Sequence, residues 1–140
     1  RRHQRQRRSV ALRALLLLAA AGTQLAAAAD SAPLQVEIQG PDVRQRAAHF
    51  NVPVLVTLPP GDAAPLLLTP SVEGSALEVV RGRLLRSDAK PVDATQLRFE
   101  LPVVARSEGT AILRIEVNTY ICEPGCRAIS ARASRVFRVR

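Results

Sequence analysis

Tryptophan and methionine are absent, and Phe50, Phe99, Tyr120 and Phe137 are the only aromatic residues among 140. That scarcity excludes an aromatic platform for stacking bases. Histidine is nearly as rare. Beyond the first 29 residues only His49 and the two cysteines, Cys122 and Cys126, could act as soft metal ligands, one short of a four-ligand structural zinc site. The acids are scattered singly, so no carboxylate pair stands at a spacing suited to general acid and base work or to a calcium loop. No serine carries a nucleophile motif, and Gly40, Gly61, Gly74, Gly82, Gly109 and Gly125 are isolated turn or bulge positions, not a phosphate cradle. None of these patterns calls for a cofactor, and the length allows one domain.

The formal net charge is +8, which invites a nucleic-acid partner until the charges are located. Arg1, Arg2, Arg5, Arg7, Arg8 and Arg13 fall at the start with no acid among them. From Asp30 onward fourteen basic residues face twelve acids, an ordinary solubility balance, and no nucleic-acid partner is expected.

The Arg-rich head runs into the apolar stretch 14–22 and then into the small residues Ala26 to Ala29. That order is the order of a secretory signal peptide, with cleavage expected after Ala29. Nine apolar residues make about 14 Å of helix, against the roughly 30 Å of a bilayer core. The expected organisation is therefore a leader at 1–29 and one domain at 30–140, secreted or periplasmic, with no membrane span in the mature chain.

Beyond Asp30 no apolar stripe of helical period persists, and short β-favouring runs alternate with Pro- and Gly-rich punctuation. The runs are 34–39, 52–58, 66–69, 76–85, 95–104, 110–121 and 127–139, with Gly82 read as a bulge. Seven short strands predict an all-β, immunoglobulin-like β-sandwich, with a small barrel as the other all-β option.

The last two runs carry the most information. Ala111, Leu113, Ile115, Val117, Thr119 and Ile121 alternate with polar residues, and so do Ile129, Ala131, Ala133, Phe137 and Val139. Facing residues share a side of the sheet, so both odd-numbered sets point inward only if Val117 faces Ala131 and Ile115 faces Ala133. The hairpin loop is then Glu123-Pro124-Gly125, and Cys122 and Cys126 face each other across its mouth on the even side, away from the core. Two exported cysteines have one intramolecular pairing, so a Cys122–Cys126 disulfide is expected. Its loop of about five residues contributes only ~2 kcal/mol by the chain-entropy relation, little for a whole domain. Three chemistries compete for the pair: a structural clip on a binding or accessory module, thiol–disulfide exchange, and a two-thiolate Cu(I) site.

The run from Leu97-Arg98-Phe99-Glu100-Leu101-Pro102-Val103-Val104 through Gly109 to Leu113–Cys122 and Cys126 resembles the end of the N-terminal periplasmic domain family of the thiol:disulfide interchange protein. The resemblance implies an immunoglobulin-like sandwich in which Cys122 and Cys126 form a redox pair. Tyr120, Glu123, Pro124 and Gly125 would surround it. A thioredoxin-like partner domain would supply electrons to be passed on to other exported proteins. Without that role, the expected function is a non-catalytic periplasmic accessory module with a structural disulfide. Arg127, Arg132, Arg135, Arg138 and Arg140 make the final strand basic, which suits either an acidic partner or a solvated edge.

Overall fold

The computed structural model describes residues 34–60, 64–122 and 125–140. The leader reading, and Glu123 and Pro124 of the hairpin loop, lie outside the described residues. Ten strands follow one another: β1 Gln35–Ile38, β2 Val43–Arg44, β3 His49–Thr57, β4 Leu67–Glu73, β5 Leu77–Val79, β6 Leu84–Leu85, β7 Lys90–Pro91, β8 Gln96–Ala105, β9 Gly109–Cys122 and β10 Cys126–Val139. A 3-10 turn at Arg86–Asp88 joins β6 to β7.

One sheet has the order β1-β3-β8-β5, with β7 beside the first part of β8, and the other has the order β2-β10-β9-β4-β6. Every pairing is antiparallel except the parallel contact of β2 with β10. This is the strand order of an immunoglobulin-like sandwich, with β1 and β2 dividing the first strand between the two sheets and β6 added at one edge. Gly40, at φ +86°, lies in the link that carries the chain from one sheet to the other.

Alternation explains the layers. Val52, Val54 and Val56 of β3 and Leu97, Phe99, Leu101 and Val103 of β8 point inward from the first sheet. Leu68, Leu113, Ile115, Val117 and Phe137 meet them from the second. Branched and aromatic side chains suit a pleated, half-buried surface, and each contributes about 1.5–3 kcal/mol when fully buried. With so few aromatics, Phe99 and Phe137 are the largest fully buried side chains.

Three expectations need correction. The run 76–85 is not one bulged strand: β5 joins the first sheet, β6 joins the second, and Gly82 lies in the link between them. Leu77 and Leu84 are both buried, so a crossing segment imitates a single alternating strand. The stretch 70–74, outside the expected runs, instead continues β4 through Pro70 to Glu73. Lys90-Pro91, likewise between the expected runs, pairs with Arg98 and Leu97 as β7.

Candidate functional site

The β9–β10 ladder runs without a break from Val139↔Gly109 to Cys126↔Cys122, and Val117↔Ala131 and Ile115↔Ala133 are paired as expected. Ala111, Leu113, Ile115, Val117 and Thr119 are buried, while Cys122 is half-buried and Cys126 exposed. The direction of the backbone groups follows from the strand's other side. Arg138 N–H donates to the Asp42 carbonyl and Arg140 N–H to the Arg44 carbonyl, so even-numbered residues of β10 turn their peptide groups away from β9. Even-numbered pairs of the hairpin are therefore non-hydrogen-bonded pairs, whose side chains approach most closely. Cys122 and Cys126 occupy one of them, are disulfide-bonded, and have Cα atoms 3.8 Å apart.

Strand β4 accompanies β9 only between Ile112 and Asn118. Beyond it, Thr119–Cys122 pairs with Cys126–Ile129 alone, a two-stranded arm with the disulfide at its end. An isolated two-stranded ribbon has little stability in water, and the covalent bond supplies the closure that a third strand would otherwise give. Ile121, expected inside, is only half-buried because it lies on this arm. Tyr120 is 51% exposed and faces the small Ala128, so nothing across the ladder covers its ring. Gly125 is exposed beside Cys126.

Chemistry around the pair is sparse. Among the described residues no three His, Cys, Asp or Glu side chains converge as a metal site. His49 is exposed at the start of β3, opposite Val104. A shallow groove of about 510 Å3 lies on the outer face of the second sheet, lined by Thr69, Ser71, Arg114, Glu116, Arg132 and Ser134. Its charges are largely matched within the sheet. Arg114 pairs with Glu73 at 2.6 Å and Arg132 with Glu116 at 3.5 Å.

A second cluster lies at the other end of β10. The Arg44 guanidinium lies 4.1 Å from the centre of the Phe50 ring, Phe50 and Phe137 are 6.4 Å apart, and the Arg135 guanidinium lies 5.9 Å from Phe137. Arg135 Nη1 also donates to the Ile38 carbonyl at 3.0 Å. Arg44 Nε is buried with no partner. Burial, and then the charge of Arg135, lower the proton affinity of Arg44. The four residues lie on three strands, and β2 is two residues long, so no local periodicity signals the cluster.

No family model matches the chain. No curated protein matches it either. Among solved structures, it is similar to native α2-macroglobulin from Escherichia coli spanning domain MG7 to the C-terminus, with TM-score 0.54 and 15% identity over 78% of this chain. It is also similar to the native conformation of E. coli α2-macroglobulin seen by cryo-electron microscopy, with TM-score 0.52 and 16% identity over 77% of this chain. The chain spans only 17% and 7% of those structures. A cohesin module of a Clostridium perfringens family 33 glycoside hydrolase aligns over 78% of this chain and 98% of its own at TM-score 0.43 and 11% identity, too distant to carry an argument. At these identities the likeness is one of fold, and with the strand order it makes the chain an immunoglobulin-like β-sandwich carrying one disulfide.

Proposed function

We propose that this chain is an exported, non-catalytic accessory module that presents a disulfide-locked hairpin arm to a partner protein. The carrying observation is the position of the Cys122–Cys126 bond, at the end of a two-stranded extension and away from the core. There it adds little to the stability of the domain and much to the order of the arm. An arm ordered before binding loses less conformational freedom on contact. Tyr120 is the residue best suited to make that contact, because a tyrosine combines a large apolar face with a hydroxyl and is enriched at interface hot spots. The leader-like order of residues 1–29 and the presence of a disulfide both support export to an oxidising compartment. The partner would be another exported protein.

Thiol–disulfide exchange with a thioredoxin-like domain is the second reading, favoured by the exposure of Cys126 and by the resemblance of residues 97–126 to the interchange family. A Cys126→Ser variant separates the two. If exchange were the function, its remaining Cys122 thiolate would attack a thioredoxin-like domain whose single active-site cysteine is held as a mixed disulfide with an aromatic thiol, expelling the aromatic thiolate and leaving a protein–protein mixed disulfide. The accessory reading expects no adduct beyond that of an unrelated surface cysteine. It also expects Tyr120→Ala to leave thermal stability unchanged.

A further inference from the structure

We propose that the open edge of β10, from Ala128 to Val136, accepts an extended acidic segment of a partner protein as an added strand. The even-numbered residues of β10 turn their amide and carbonyl groups away from β9, and β2 satisfies them only around Arg138 and Val139. Upstream the chain has crossed to the other sheet, where Gln39 N–H donates to the Pro53 carbonyl; β1 still runs near β10, and Arg135 donates to its Ile38 carbonyl, but β1 is paired with β3 and makes no backbone bond to β10. Ala128, Ser130, Arg132, Ser134 and Val136 therefore have no outward backbone partner among the described residues. A row of this kind is a template for a further strand.

Three other uncovered stretches carry a proline where an incoming strand would need a donor. Pro53 turns its backbone toward β1, just beyond the end of that strand, as its carbonyl bond to Gln39 shows. Pro102 faces the gap between β5 and β7, since its carbonyl accepts from Val80 N–H. Pro70 lies opposite Ile115, an odd residue of β9 committed to β10, so Pro70 also faces outward, past the end of β6. At each of these positions a proline removes the donor that an incoming strand would need. From Ala128 to Val136 there is no proline, no glycine and no break in the ladder.

Charge selects the occupant. β10 carries Arg127, Arg132, Arg135 and Arg138 and no acid. Arg132 is 77% exposed and holds Glu116 only loosely, at 3.5 Å. At the far end of the open stretch Arg135 approaches Arg44, whose Nε has no partner, and neither has a carboxylate within ion-pair distance among the described residues. A second copy paired edge to edge would oppose arginine with arginine. An acidic extended segment instead meets complementary charge along the strand and at its end. The inference deepens the accessory reading, but it is tested at different atoms: failure here leaves the hairpin tip untouched, and redox activity at the tip leaves the edge untouched.

The test is amide hydrogen exchange on the full chain with an acetylated, amidated nonapeptide of alternating Glu and Val, set against its Lys-Val counterpart. In the free protein the amides of Ser130, Arg132, Ser134 and Val136 should exchange quickly and those of Ala131, Ala133 and Arg135 slowly. Millimolar Glu-Val peptide should slow the first group by at least about tenfold, and the Lys-Val peptide should not. Ser134→Pro removes one outward donor and no bond to β9, so it should stay folded and lose the protection. If that variant does not fold, Arg132→Glu with Arg135→Glu should transfer the protection to the Lys-Val peptide. Exchange of the outward amides unchanged by the Glu-Val peptide, or slowed equally by both peptides, overturns the proposal.

Discussion

The hydroxyl of Thr119 donates to the carbonyl of Pro65 at 2.8 Å, at the point where β9 leaves β4 and the hairpin arm begins. Thr119 is the one buried polar residue among the described residues, so this bond anchors the base of the arm to the sandwich. Thr119→Val keeps the shape and removes the donor, at a cost of about 1 kcal/mol. Thr119→Ser retains the bond. Urea unfolding should show the larger loss for valine, and equal losses would mean that the hydroxyl bond is not what holds the arm.

The core should be most sensitive where volume is least replaceable. Phe99 lies on the central strand β8 with no exposed surface, in a protein with few other large side chains. Phe99→Ala should cost roughly 3–5 kcal/mol, a large part of the 5–15 typical of a domain. Half-buried Phe50 should cost less when changed to Ala, and the two unfolding midpoints measure the order directly.

Two glycines should differ in their tolerance of alanine. Gly74 has φ +103°, and a Cβ there would lie 3.1 Å from the Thr110 carbonyl oxygen, so Gly74→Ala meets both backbone strain and a crowded neighbour. The loss should be about 1–2 kcal/mol. Gly82 has open space where a Cβ would go and no positive φ. Gly82→Ala should change stability by less than about 0.5 kcal/mol, and a large loss there would restore the bulge that the sheet order argues against.

Acid sensitivity should trace in part to two loop carboxylates. Asp88 accepts from Leu85 N–H at 2.7 Å and pairs with Arg81, and these bonds, the backbone one first, hold its carboxyl below the usual range. Asp93 is lowered in the same direction, first by Thr95 N–H. A depressed folded pKa contributes stability above the unfolded carboxylate value, and that contribution is lost as pH falls through the folded one. The Asp88→Asn, Asp93→Asn double variant should therefore melt below the parent at pH 7, with the gap closing as acid is added below about pH 4. A gap constant with pH would contradict the assignment.

The hairpin was legible because its period-two pattern covers both arms and a one-residue slip would turn every odd side chain to solvent. That constraint alone places Cys122 opposite Cys126. Segments shaped by tertiary neighbours were not legible. The run 76–85 reads as one strand although Leu77 and Leu84 serve different sheets. Pro70 reads as a breaker, yet β4 continues through it because its missing donor faces an uncovered edge. The two-residue strands β2, β6 and β7 carry too little pattern to be seen, and β2 is what fixes the Arg44–Phe50 contact.

The Cys122–Cys126 bond acts in this reading as a structural lock on the arm. The most direct test is its reduction potential in the oxidised protein, by thiol alkylation after equilibration in glutathione and dithiothreitol buffers. A structural lock should show a value below about −300 mV, beyond the reach of the glutathione pool. A value near about −200 mV, in the range of exchange-active pairs, would contradict it and make the arm a redox centre.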